Sequence, residues 1–211
     1  IADASLSSDF PLKSGDANKQ ISVCFWVRPE SFPFIEAAMA SKYDFFNNKR
    51  SFAVYLDAGG HVSLTTGYSG GASHQHNWST ATLSVGSWYH VGATYRDSDR
   101  AWTLRVWSES ASATIIDLAG TKSYPINVED AAFCLGTTHN GLTHFDGLLD
   151  EVAVFNDILT SEEIDRIREG TYVDRTAVLQ DLTYTPTGEP NSVRGPYPEN
   201  PDPNEYAANF T

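Results

Sequence analysis

Apolar and polar positions alternate along the chain in short runs, and that alternation predicts strands. In residues 21–27 (ISVCFWV), Ile21, Val23, Phe25 and Val27 fall on one face and Ser22, Cys24 and Trp26 on the other. Arg28-Pro29 ends the run. Residues 51–56 (SFAVYL) form the next, and Asp57-Ala58-Gly59-Gly60 is a tight-turn signal before residues 61–66 (HVSLTT). These two runs read as a hairpin. Residues 88–95 (WYHVGATY) and 103–107 (TLRVW) are two further strands, separated by a polar turn at 96–100. Residues 132–135 and 148–155 (LLDEVAVF) close the set.

One segment keeps a different period. Thr160-Ser161-Glu162-Glu163 places a hydroxyl at the N-cap and a glutamate three residues on, which is a capping box. Leu159 and Ile164 have the spacing of a hydrophobic staple, Ile164 and Ile167 give an apolar stripe, and Gly170 supplies a stop. The pattern predicts one short helix, at about residues 161–169. Many short strands, one small helix and no strand–helix alternation point to an all-β body of two packed antiparallel sheets.

From about residue 176 the pattern fades. The last 36 residues hold six of the 10 prolines: Pro186, Pro190, Pro196, Pro198, Pro201 and Pro203. The division expected is a sandwich at 1–175 and an extended, Pro-rich tail at 176–211 that lies on its own sandwich or, by preference, on a neighbouring subunit.

Composition narrows the partners. A chain of 211 residues with 41% hydrophobic side chains has enough apolar surface for one well-filled domain. Its 27 acidic and 14 basic residues give a net charge of −13, which repels phosphate backbones and anionic lipid heads. Nucleic acid is therefore excluded as a partner. No run approaches the roughly 20 apolar residues of a membrane span, so insertion is not expected. The chain opens at Ile1 rather than Met and reads as a processed or partial product. Its two cysteines, Cys24 and Cys134, lie in strand-like runs. Either they bridge in an extracellular setting, if those strands are neighbours, or both are buried free thiols.

Four stretches, in order, carry a family resemblance: residues 22–29 (SVCFWVRP), 83–95 (LSVGSWYHVGATY), 145–155 (FDGLLDEVAVF) and 159–167 (LTSEEIDRI). Together they resemble the laminin-G-like, concanavalin-A-like lectin-glucanase jelly-roll family over about residues 1–170. The resemblance implies a two-sheet antiparallel jelly-roll β-sandwich, often a structural calcium ion, and a non-catalytic role in sugar binding or cell adhesion. It also occurs in accessory modules of secreted enzymes, adhesins and viral fibre proteins, so the expected setting is extracellular. In its terms Ile1-Ala2-Asp3-Ala4 looks like the end of a trimmed first strand, and the tail after 176 falls outside the pattern. The positions matching the family's calcium are Asp3 and Asp150. The alternative for Asp150 is that it serves backbone amides or a basic side chain.

Catalytic chemistry finds little footing. Glycoside hydrolysis needs two carboxyl groups about 5–9 Å apart. The one acidic pair on a core strand is Asp150-Glu151, and adjacent strand residues point to opposite faces. Gly67-Tyr68-Ser69-Gly70-Gly71 matches G-x-S-x-G, but no helical period follows it, so a loop is expected rather than a nucleophile elbow. His74 and His76 share a face of an extended segment, where they either chelate zinc or copper with His139 and His144 or are ordinary loop histidines.

Sugar recognition uses exposed aromatics stacked on a pyranose ring, with amides and carboxylates on its hydroxyls. Three loops offer such groups. Residues 42–48 (KYDFFNN) carry Tyr43, Asn47 and Asn48, residues 68–78 carry Tyr68, His74, His76 and Trp78, and residues 138–144 (THNGLTH) carry His139, Asn140 and His144. Phe45, Phe46 and Trp78 have a second reading as caps on the core's open ends, while Trp26, Trp88 and Trp107 read as structural. The expectation is a non-catalytic extracellular carbohydrate-binding or adhesion module with a glycan partner. The runner-up is a structural subunit of an extracellular assembly (virion shell, fibre or surface appendage) that docks through its tail. A polysaccharide-active enzyme comes third.

Overall fold

The alternation of residues 21–27 becomes strand β1 (Gln20–Pro29) at the heart of a sheet. The computed structural model describes residues 1–139, 141 and 144–173, with the backbone of two short strands farther on. After β1 come β2 (Glu36–Asp44), β3 (Lys49–Asp57), β4 (His61–Tyr68), β5 (Ser73–Gln75) and β6 (Trp78–Thr82). The series continues with β7 (Tyr89–Arg96), β8 (Ala101–Ser108), β9 (Ala113–Thr121), β10 (Phe133–Leu135), β11 (Gly147–Phe155) and helix α1 (Ser161–Arg168). One sheet has the order β11-β1-β7-β8-β9. The other runs β10-β2-β3-β4-β5, with β6 also paired to β4. All these pairings are antiparallel.

The inner faces are the apolar sets that the alternation predicts. Ile21, Val23, Phe25 and Val27 of β1 join Val91 of β7 and Leu104 of β8 on one side, against Phe52, Val54 and Leu56 of β3 and Leu64 of β4. Burial of these side chains drives the two sheets together. The alternate positions face outward, and on the first sheet part of that outer face is covered by the 157–164 segment, which Ser22 and Gly92 meet.

Two long strands were not legible in the pattern, β2 and β9. The β2 sequence EAAMASKYD is alanine-rich and does not alternate, yet it is buried almost throughout. It is placed by pairing on both flanks, to β10 and to β3, which overrides its weak strand propensity. Consequently Lys42, Tyr43 and Asp44 belong to a strand rather than to a loop.

Helix α1 follows its capping box. The Glu163 N–H donates to Thr160 Oγ1 at 3.2 Å, and the Thr160 N–H donates to Glu163 Oε2 at 2.8 Å. Ile164 sits over Gly92 of β7 so closely that a Cβ at 92 would lie 2.4 Å from Ile164 Cγ2. At the start of the chain the Ile1 ammonium donates to the Phe133 carbonyl at 2.7 Å, and the Ile1 carbonyl accepts from the Phe133 N–H at 2.9 Å. Asp3–Ser5 then form a 3-10 turn.

Both cysteines are free: Cys24 lies in the first sheet and Cys134 in the second, so the bridge does not form. Burial pushes the Cys24 thiol up to about 12. The chain divides into two units, Ile1–Asp165 and Arg166–Thr211. In the second, Thr183–Tyr184 pairs antiparallel with Pro190–Ser192. The docking expected of residues 176–211 otherwise lies outside the described residues. No helix among the described residues is long and apolar enough to cross a membrane.

Candidate aromatic cleft on the second sheet

The outer face of the β2–β3–β4 sheet is built from small residues with aromatics standing among them. Cross-strand register sets Ala38 against Tyr55, Tyr55 against Ser63, Ser63 against Trp78, Ala53 against Thr65 and Gly67 against His74. Directly opposed residues share a face. Alanine, serine and glycine therefore form a low floor, and the rings stand above it. A register shift between Ala38 and Ala40 in β2 puts Ser41 opposite Ala53, and alternation from there brings Tyr43 onto the same face.

The rings touch in sequence. Tyr43 and Tyr55 meet edge to face at 5.9 Å, Tyr43 meets His74 at 6.1 Å, and His74 meets His76 at 4.7 Å. His76 lies 5.8 Å from Tyr55 and stacks on Trp78 at 5.2 Å and 15°. At the Tyr43 end this surface opens into a cleft of about 350 Å³. Tyr43, Tyr55 and His74 form its base, Ile35, Phe45 and Phe46 its apolar wall, and Glu36, Thr138 and Gly141 complete the lining. Phe45 and Phe46 are 51% and 58% exposed, so they wall the cleft rather than cap the core.

The polar groups are few. Among the described residues neither tyrosine hydroxyl nor the Glu36 carboxylate takes a hydrogen bond, and burial, with a smaller push from the Glu36 charge, raises both phenols above the ordinary tyrosine range. Burial, and then the charge of Asp57 across the strand pair, raise Glu36 above the usual glutamate range. Burial and the nearby Arg50 lower His74. Burial, His74 and Lys122 push His76 down to about 4. Both imidazoles are thus neutral at pH 7. His76 Nδ1 shares a 2.7 Å hydrogen bond with Thr65 Oγ1, while His74 Nδ1 is buried without a partner among the described residues.

Arg50 holds the wall from behind. Its Nη1 donates to the Gly71 carbonyl at 3.0 Å and to the Ala72 carbonyl, and its Nη2 donates to the Phe45 carbonyl at 3.0 Å. The guanidinium lies 4.3 Å from the centre of the Phe45 ring. One buried side chain therefore ties the 45–48 loop to the turn at 69–72. That turn leads from β4 into β5 with no helix after it, as expected of the G-x-S-x-G match.

The structure brings together four of the ten ligand candidates: Tyr43 and His74 at the cleft, with His76 and Trp78 extending its floor. The others do not join them. Tyr68 stacks on Tyr124 at 4.1 Å, away from the lining. Asn47 bonds Asp44 through its backbone and side-chain nitrogens, and Asn48 takes a left-handed φ of 58°, so both build the turn. His139 lies 3.8 Å from Asp44, and His144 bridges to Thr137. Asn140 lies outside the described residues. The alternation in residues 51–56 carried a signal for Tyr55, on the face opposite Phe52 and Val54. Glu36 had none.

The metal expectations do not fit this geometry. Asp3 Oδ1 lies 2.7 Å from Lys42 Nζ, with both side chains nearly or fully buried. The Lys42 ammonium is thus the counter-charge that the fold supplies. Asp150 is exposed opposite Trp26 on the outer face of the first sheet, and its Oδ1 accepts the Glu151 N–H at 2.8 Å. Asp3 and Asp150 thus occupy separate environments. His74 and His76 are neighbours, but His139 and His144 do not complete a set. Among the described residues no group of three or more His, Cys, Asp or Glu could hold a metal. Trp26 and Trp107 pack edge to face at 5.9 Å, in keeping with structural roles.

A family model described as the concanavalin A-like lectin/glucanases superfamily matches residues 4–165. The sialidase module CBM40 of Ruminococcus gnavus, bound to alpha2,3 sialyllactose, is 15% identical with a TM-score of 0.54, covering 74% of this chain and 84% of that one. A putative carbohydrate binding protein of Bacteroides ovatus is 16% identical with a TM-score of 0.52, over 74% and 42% of the two chains. The LG1-3 region of the laminin alpha2 chain is 15% identical with a TM-score of 0.51, over 66% and 27%. No curated protein sequence matches the chain. At these identities the solved structures speak for the fold.

Proposed function

The chain belongs to the concanavalin A-like lectin/glucanase superfamily, and on that premise we propose that it is a non-catalytic, extracellular carbohydrate-binding module whose site is the aromatic cleft of the second sheet. One observation carries this reading: Tyr43, Tyr55 and Glu36, whose hydroxyls and carboxylate have no hydrogen-bond partner among the described residues, line one cleft walled by aromatic rings. A sugar presents an apolar ring face for the wall and hydroxyls for the polar groups. The strand-borne base is fixed before ligand arrives, which lowers the ordering cost of binding.

Hydrolysis is not supported, because Glu36 is the one carboxylate among the described lining residues. Its cross-strand neighbour Asp57 holds the β3–β4 turn, its Oδ1 accepting from the Gly59 and His61 N–H groups at 2.8 Å each and lying 3.1 Å from His61 Nδ1. The assembly reading rests on residues 176–211, and no observation on the described residues advances it.

The test is glycan-array binding followed by calorimetry on wild type, Phe46→Ala and Tyr55→Phe. Phe46 is exposed, and Tyr55→Phe keeps the ring, so both variants should melt as wild type does. Removing one wall ring is expected to weaken binding about tenfold, and removing one hydroxyl about two- to tenfold. Folded variants that bind every array hit as tightly as wild type would show that the site lies elsewhere.

A further inference from the structure

Resting on that carbohydrate-binding reading, we propose that the cleft selects neutral sugars and rejects anionic ones, whether sialylated, sulfated or uronic. The charge inventory of the site carries the inference. Glu36 is the one charged side chain among the described lining residues, and no lysine or arginine is among them. Positions 140, 142 and 143 beside Gly141 are Asn, Leu and Thr, none of them basic.

Each cation near the cleft is already committed. Arg50 donates to three backbone carbonyls, is 5% exposed, and its remaining Nε is sealed from solvent. A bidentate grip on a ligand carboxylate needs two free, exposed N–H groups, which this guanidinium does not offer. Lys49 pairs with Asp130 at 2.7 Å. Lys122 is buried, donating to the Leu64 and Gln75 carbonyls. His74 and His76 are neutral, as described above. A ligand anion would therefore enter a half-closed cleft facing a carboxylate, with no free lysine or arginine among the described lining residues to neutralise it. The chain's net charge of −13 adds to that repulsion at longer range. A neutral pyranose meets no such penalty, since Glu36 can accept its hydroxyl protons. The sialyllactose bound by the Ruminococcus gnavus module does not weigh against this, because 15% identity carries the fold and not the ligand.

The experiment sets matched pairs on an array and in calorimetry at pH 7.5, among them lactose against 3′-sialyllactose and N-acetyllactosamine against its sialylated and sulfated forms, for wild type and Glu36→Gln. Wild type is expected to bind neutral members at least about tenfold more tightly than their anionic counterparts. Glu36→Gln is expected to bring that ratio below about threefold, because the repulsive charge is gone while the amide still serves hydroxyls. Equal or tighter binding of the anionic members by wild type overturns the inference and leaves the carbohydrate reading standing. Selectivity unchanged in Glu36→Gln overturns it at the level of the residue. Wild type that melts normally and binds neither class overturns the carbohydrate reading and this inference together.

Discussion

Replacing Asp3 by asparagine is predicted to cost the fold several kcal/mol, and calcium is predicted to make no difference to that cost. Lys42 is fully buried on β2 and meets Asp3 at 2.7 Å, with a further hydrogen bond to the Glu129 carbonyl. Burial lowers the Lys42 ammonium below the ordinary lysine range, and Asp3 offsets part of that shift. Asp3→Asn keeps the shape but leaves a buried ammonium with no counter-charge, a change that costs about 3–5 kcal/mol in buried pairs. A ceiling follows independently. Lys42 can escape by losing its proton, which at pH 7 costs an ordinary lysine about 4.6 kcal/mol. At roughly 2–4 °C per kcal/mol for a chain of this size, the melting temperature should fall by roughly 6–20 °C. The deficit should shrink as pH rises toward about 10. A depressed lysine pKa means the unfolded chain binds more protons, so stability climbs with pH until both states are neutral. The assay is thermal unfolding with EGTA or with excess calcium, at pH 7 and pH 9.5. The variant Asp3→Asn/Lys42→Met should recover most of the loss, since the uncompensated charge is then gone. A loss below about 1 kcal/mol, or one present only with calcium, would refute the reasoning and return Asp3 to the metal ligands.

Three further outcomes are expected. His76 is held at about 4 in the fold against an ordinary 6.5, so the unfolded chain takes up a proton between those values and the fold does not. Stability should therefore decline as pH falls through that window, and melts of His76→Gln against pH should show a shallower decline. Gly67→Ala would place a Cβ 1.9 Å from the Arg50 carbonyl oxygen, in backbone that cannot rotate away, and urea unfolding should show a loss of about 1–3 kcal/mol or more. Cys24, buried and pushed up to about 12, should resist a thiol reagent until denaturant is added, and reduction should leave both the intact mass and the melt unchanged.

Where the chain's own pattern sufficed, it was because local chemistry and the final fold agree. The alternation of Ile21, Val23, Phe25 and Val27 survives as a buried face, and Asp57 to Gly60 make the expected turn. Thr160 and Glu163 close the capping box they spell. Strand β2 was opaque, because its alanines are chosen for closeness to β3 and β10 and not for strand propensity. The site was half legible for a related reason. Tyr43, His74, His76 and Trp78 stand out as aromatics between predicted strands, whereas Glu36 and Tyr55 join them only through the register of β2 with β3. Asp3 also has a neighbour that its position in the sequence does not reveal: Lys42 reaches it from β2.

Arg50 links the shape of the cleft to its selectivity. In a chain of 27 acids and 14 bases, a buried arginine beside a ligand cleft invites a role in gripping anions. Its geometry denies that role. Three backbone carbonyls, from Phe45, Gly71 and Ala72, take three of its five N–H groups, Nε is buried, and the Phe45 ring covers its face. Those same bonds hold the aromatic wall upright and fix the turn that carries His74 to the floor. Freeing Arg50 for a ligand carboxylate would therefore loosen the loop that makes the cleft. The hydrogen bonds that keep the wall rigid thus also keep Arg50 from offsetting the Glu36 charge on which the proposed selectivity rests.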